Sequence, residues 1–250
     1  MRGIWRAILP LLLCWGIWVL NPEPVLAVDT NLEATILDVI QQHPEAILQS
    51  LTTYQAKQRE QEHQAQLQTL NQLKQNIPAV IGSSPILKYS QDSTVTLIEF
   101  GDYECPFCIE AHPQLQQFLE QHSNVELVYK HLPLIDIHPE ALSAARASWA
   151  ALQQGKFWEF HNALFERQGN LNEQAYQEIA TGLKLNLEEF NRDRNSFAAT
   201  EAIIQDMQDA NKLKIEGTPS FLAITTNTIE LISGFNSQSL TRILEPVTKK

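Results

Sequence analysis

The chain has 250 residues, with 18 Lys and Arg against 29 Asp and Glu and a formal net charge of −11 at pH 7. An acidic chain with no basic tract argues against nucleic acid or an anionic membrane surface as its partner. Three cysteines in this length are too few for a disulfide-built scaffold, whereas the length itself allows one core of ordinary size plus an appendage.

The first 27 residues read as a leader. Arg2 and Arg6 precede an apolar run from Ala7 to Leu20, and Val25-Leu26-Ala27 ends in a small residue that fits a signal-peptidase site before Val28. The run is about 14 residues, short of the roughly 20 that cross a bilayer. Cleavage is therefore expected over retention as an anchor, with the product exported to the periplasm or another extracytoplasmic space, and Cys14 is lost with the leader. The remainder keeps 16 basic and 28 acidic residues, a net charge of about −12.

Residues 28–82 form an expected helical arm and linker. Leu32, Ile36, Leu37 and Ile40 have helical spacing, Pro44 breaks it, Ile47, Leu48, Leu51 and Tyr54 resume it, and Leu67, Leu70, Leu73 and Ile77 follow a Gln-rich stretch. So thin a stripe buries little within one chain, which leaves a solvated extension or one half of a homo-oligomer surface. Gly82-Ser83-Ser84-Pro85 ends the arm. Val95–Phe100 then predicts a strand, 106–121 a helix with Cys108, Ala111, Leu115, Phe118 and Leu119 inward, and 125–132 a second strand. Strand, helix, strand at this spacing is a βαβ unit with parallel pairing. About 139–213 reads as helical throughout, with Asn186 as a cap and Glu189 returning the contact. Residues 220–224 and 228–232 form a hairpin, and Leu240, Ile243 and Leu244 mark a closing helix.

Cys105-Pro106-Phe107-Cys108 follows the first strand directly and opens the helix after it. Two thiols three residues apart can pass between a dithiol and a small-ring disulfide, and so exchange two electrons with another protein's cysteines. Unpaired N–H groups and the helix dipole favour an anion at a helix start. Cys105 is thus the attacking thiolate, with its pKa depressed, and Cys108 the buried resolving thiol. Pro106 suits the first helical turn, where its missing N–H costs nothing. No metal is expected, because His112 alone does not complete a four-coordinate zinc site with the pair. His131, His138 and His161 read as packing or surface residues, and Phe107 and Leu132 as candidates for an apolar groove for unfolded clients.

These features resemble the secreted DsbA-like proteins of the thioredoxin superfamily over residues 86–250. The resemblance rests on Cys105-Pro106-Phe107-Cys108 together with Glu216-Gly217-Thr218-Pro219-Ser220 ahead of the hairpin. It implies an α/β thioredoxin fold with an inserted helical subdomain, preceded by the N-terminal arm, which itself is similar to those of ScsC-like relatives. It also implies that Pro219 is cis and lies against the cysteines, that Thr218 offers backbone hydrogen bonds to an extended client segment, and that Glu99 is a buried acid able to relay a proton to or from Cys108. The implied activity is thiol–disulfide exchange without a cofactor. Clients would be reduced or misoxidised exported proteins, and a membrane redox partner would reset the pair. Oxidase action is the leading expectation, with isomerase or reductase action, or a redox-inert chaperone on the same scaffold, as alternatives.

Overall fold

A computed structural model describes residues 30–88, 93–167 and 169–248. The expected leader, with Cys14, lies outside them. The chain divides into two compact units, residues 1–58 and 59–250.

Fifteen elements follow one another among the described residues: α1 (Thr30–Gln42), α2 (Pro44–Lys74), α3 (Ile77–Ile81), β1 (Ile86–Lys88), β2 (Val95–Gly101), α4 (Pro106–Gln121), β3 (Val125–His131), α5 (Ala141–Gln153), α6 (Phe157–Glu166), α7 (Glu173–Gly182), α8 (Leu187–Arg194), α9 (Phe197–Lys212), β4 (Ser220–Thr225), β5 (Ile229–Ser233) and α10 (Ser237–Thr248). In the first unit the apolar residues of α1 and of the start of α2 face solvent, Leu48 and Tyr54 being 62% exposed and Leu32 57%.

The second unit is built on a mixed sheet ordered β1-β3-β2-β4-β5. β2 and β3 run parallel from Val95 opposite Val125 to Gly101 opposite His131, while β1, β4 and β5 pair antiparallel with their neighbours. Parallel pairing follows from the α4 crossover, because two parallel neighbours cannot be joined by a tight turn. The missed strand is β1, only three residues long, with too few alternations to read.

Period-two alternation sends side chains to both faces of this sheet. Val95, Leu97, Val125, Leu127, Phe221 and Ala223 pack beneath Leu115, Phe118 and Leu119 of α4 and Leu240, Ile243 and Leu244 of α10. Ile98, Phe100, Val128, Leu222 and Ile224 pack on the other face with Leu70 of α2, Val80 of α3, and Ala210 and Leu213 at the end of α9. Leu70 and Val80, with Leu73, Ile77 and Ile81 at their side, thus join the core. Their stripe is thin because one sheet face covers it, and the Gln66 amide ties it further by donating to the Leu213 carbonyl at 3.0 Å.

The helical insertion α5–α9 carries its own core, in which Ala144, Ala147, Ala150 and Ala151 of α5 let neighbouring helices approach closely around Phe160, Leu164, Tyr176 and Phe190. Asn186 caps α8 by accepting from the N–H groups of Glu188 and Glu189. The expected return contact from Glu189 is replaced by Gln154, whose side-chain oxygen takes the Asn186 N–H at 2.8 Å. Lys130 on β3 anchors the insertion to the sheet: its buried ammonium reaches Asp206 at 2.9 Å and Asp209 at 3.1 Å, both on α9. Removing one member of a buried ion pair leaves the other charge uncompensated. Lys130→Ala should therefore cost about 3–5 kcal/mol, read as a lowered urea midpoint with native secondary structure retained in water; an unchanged midpoint contradicts the anchoring role.

Candidate active site

The β2-to-α4 junction places the cysteines. Cys105 has extended backbone angles (φ −67°, ψ 120°) and caps α4, and Pro106 occupies the first turn. Cys108 lies one turn in. Both are free thiols, and both are buried, Cys105 to 3% exposure and Cys108 to 0%. The Cys105 thiol donates to the Thr218 carbonyl at 3.3 Å, and the Asp102 N–H donates to the Cys108 sulfur at 3.5 Å. The Thr218–Pro219 bond is cis, and the contact of Thr218 with Cys105 lays the loop leading into β4 against the cysteine pair.

The electrostatics separate the two sulfurs. Cys105 is lowered from the usual thiol value to about 5, first because the Cys108 thiol hydrogen-bonds to its anion, against the opposing effect of burial. The Thr218 side chain and the N–H groups of Cys108 and Phe107 contribute further lowering. The sequence reading assigned this shift to the helix start alone; the partner thiol comes first. Burial pushes Cys108 far up, and its hydrogen bond to Cys105 and the nearby Glu99 push it further. Only one negative charge is therefore held at the pair, and it sits on Cys105.

Glu99 is buried on β2, 2% exposed, and loss of water raises its carboxyl to about 8. Asp102 was missed by the sequence reading. Its side chain accepts from the N–H of Glu104 at 2.9 Å and of Leu134 at 2.9 Å, and contacts His138 Nδ1 at 2.7 Å. One carboxylate thus clasps the loop after β3 to the approach to Cys105. An Asp two residues ahead of a turn N–H is a readable Asx signal; its distant partners are not readable. His138, taken for a packing or surface residue, belongs to this clasp. His131 and His161 are buried packing residues, and His161 accepts or donates at 3.0 Å with the Tyr103 hydroxyl.

Beside the pair runs a groove of about 450 Å³ lined by Phe107, Glu110, Gln114, Thr218, Pro219 and Phe235, among others. Phe107 is 67% exposed at the rim of this groove. Leu132, the other apolar candidate, is 8% exposed and packs with Phe100 and Val128 on the opposite sheet face; its strand-end position turned it away from the groove. Among the described residues no three His, Cys, Asp or Glu side chains form a site for a metal ion, and no helix is long and apolar enough to cross a membrane.

Residues 89–234 match the family model described as Thioredoxin. Among solved structures, a thioredoxin-like oxidoreductase from Silicibacter pomeroyi DSS-3 is 33% identical, covering 70% of this chain and 99% of its own, with a TM-score of 0.61. A linker-deletion variant of ScsC from Proteus mirabilis is 19% identical over 90% of this chain and 97% of its own, with a TM-score of 0.60, a likeness of fold. Among curated relatives, the Na(+)/H(+) antiporter NhaA 1 of Salinispora arenicola is 37% identical over 131 residues, which are 52% of this chain and 20% of the antiporter. The chain thus spans about a fifth of the length of that relative.

The raised Glu99 carboxyl makes a testable statement about stability. Its folded value lies above its unfolded one, so its contribution is fully present below pH ~4.3 and is lost as pH rises through about 8. Glu99→Gln should leave the reduced protein's stability nearly unchanged at pH 4 and raise it at pH 8, measured by urea unfolding. An equal effect at both pH values contradicts the assignment.

Proposed function

Because this chain belongs to the thioredoxin superfamily as a DsbA-like member, we propose that it is an extracytoplasmic thiol–disulfide oxidoreductase that donates its Cys105–Cys108 disulfide to exported proteins. The observation that carries this reading is the asymmetric thiol pair: a Cys105 sulfur held to about 5 beside a Cys108 sulfur that resists ionisation. A stabilised Cys105 thiolate favours the dithiol form over the disulfide, which makes the disulfide the more oxidising partner.

In the exchange, a client thiolate attacks the Cys105 sulfur, the Cys105–Cys108 bond breaks, and Cys108 leaves and takes a proton. A second client thiolate then attacks the client sulfur of the mixed disulfide and releases Cys105 as a thiolate. The client is oxidised by two electrons and the pair is reduced by two. Glu99, raised to about 8, is a suitable donor for the Cys108 proton. The groove along Phe107, Thr218 and Pro219 receives the extended segment that carries the client cysteine. A membrane-bound disulfide donor reoxidises the pair. The leader-like residues 1–27 support an extracytoplasmic setting.

A second element of the proposal concerns the arm. Large apolar side chains on α1 and the start of α2, including Leu32, Ile36, Ile47, Leu48, Leu51 and Tyr54, are half or more exposed. Such a stripe favours self-association, since apolar area this dense is seldom left in water.

Cys105→Ser should abolish both insulin reduction and client oxidation, and Cys108→Ser should accumulate client mixed disulfides on non-reducing gels; survival of both activities in the Cys105 variant removes it from its role. Sedimentation of the chain from Val28 should give an oligomer that the double substitution Leu48→Glu, Leu51→Glu reduces to a monomer. A monomeric parent contradicts the assembly.

A further inference from the structure

Among the described residues, four buried side-chain polar atoms have no hydrogen-bond partner: Glu99 Oε2, Tyr129 OH, Arg146 Nε and Thr218 Oγ1. Unsatisfied buried groups cost stability and mark places where a working state supplies the partner. Glu99 and Thr218 are already part of the thiol site. Tyr129 is not, and no motif pointed to it.

Tyr129 lies on β3 directly opposite Glu99 on β2. Alternation sends both side chains to the face covered by α4, the face of Val95, Leu97, Val125 and Leu127. The Tyr129 ring is fully buried and fixed on its sides by Tyr103 at 5.6 Å, His131 at 5.3 Å and His161 at 4.6 Å between centroids. Its hydroxyl lies over Gly101, where an added Cβ would meet the oxygen at 2.6 Å. The next residue, Asp102, is the one whose N–H touches the Cys108 sulfur. The glycine is what lets the hydroxyl come down beside the dithiol.

Burial keeps that hydroxyl protonated, so it is a donor in need of an acceptor. The titratable groups facing it are Glu99, Asp102 and Tyr103 from β2 and the turn after it, Cys108 from α4, His131 from its own strand and His161 from α6. Most are engaged elsewhere. Asp102 holds Glu104, Leu134 and His138, Tyr103 pairs with His161, and the two ring nitrogens of His131 meet Asp206 and Ser148. Glu99 Oε2, on the strand position directly opposite, has no partner.

We propose that Tyr129 is a positioning residue of the exchange, whose hydroxyl donates to the Glu99 carboxylate when that group is ionised and so sets the pH at which Glu99 takes the Cys108 proton. The inference rests on the thiol–disulfide reading above. When a mixed disulfide on Cys105 resolves, the Cys108 S–H proton passes to Glu99 and the Cys108 thiolate attacks the Cys105 sulfur. The Cys105–Cys108 bond forms, the bond from Cys105 to the outer sulfur breaks, and the electron pair leaves with the outer sulfur. In the reverse direction Glu99 returns the proton to Cys108.

The test uses dithionitrobenzoate on the reduced protein. A first thionitrobenzoate is released when Cys105 attacks, and a second when Cys108 resolves the adduct; the rate of the second is followed against pH. In the native protein it should rise with pH through a single midpoint. Tyr129→Phe should move that midpoint up by about one unit, making resolution about tenfold slower on the acid limb, and Glu99→Gln should remove the midpoint. A Tyr129→Phe profile that superimposes on the native one overturns the proposal, as does a shift that persists in the Glu99→Gln background. If Tyr129→Phe does not fold, 3-fluorotyrosine at position 129 takes its place, since it keeps the ring and makes the hydroxyl a stronger donor; the midpoint should then move down, and an unmoved midpoint overturns the proposal. Absence of any second release from the native protein is a different result, which defeats the thiol–disulfide reading itself.

Discussion

Two sulfurs buried within one helical turn cannot both be charged, and the rest of the site follows from which of them carries the charge. Cys105 caps α4 and collects hydrogen bonds to its anion, first from the Cys108 thiol and then from Thr218 and the amides of the first turn. Cys108 lies against the sheet with the Asp102 N–H on its sulfur, and the same burial that opposes its ionisation also raises Glu99. Position on the helix thus separates the two sulfurs: the outer one carries the charge, and the inner one stays protonated.

The scaffold serves that asymmetry from several directions. The parallel β2–β3 pair sets Glu99 and Tyr129 side by side beneath α4. The loop before β4 brings the Thr218 carbonyl to Cys105 and forms one wall of the groove with Pro219. The Asp102 clasp fixes the loop after β3 through Leu134 and His138. Farther off, Lys130 with Asp206 and Asp209 secures the insertion to the sheet, so the wall of helices over Tyr103 and His161 keeps its place.

Local chemistry was legible in the sequence because it depends on near neighbours. Pro106 at the first helical turn, the inward spacing of Cys108, Ala111, Leu115 and Phe118, the parallel pair around α4, and the Asn186 cap all rest on contacts within a few residues. What escaped reading is long-range. Leu132 faces the opposite sheet face because of where β3 ends. Leu70, Leu73, Ile77 and Val80 join the core because a sheet face needs covering, which a thin apolar stripe cannot announce. Asp102, His138 and Tyr129 acquire their roles from partners about 30 or more residues away in sequence, and the lowering of Cys105 by Cys108 is a matter of sulfur geometry rather than of helix position alone.

The most direct test of this account is a pH titration of the reduced protein's thiolate absorbance in the ultraviolet, with Cys108→Ser beside it. The account predicts one thiolate, lost on acidification with a midpoint near 5, and a midpoint displaced upward in the variant, whose hydroxyl is a poorer match for the Cys108 thiol. A midpoint near the ordinary thiol value of about 8.5, or two thiolates titrating together, contradicts it.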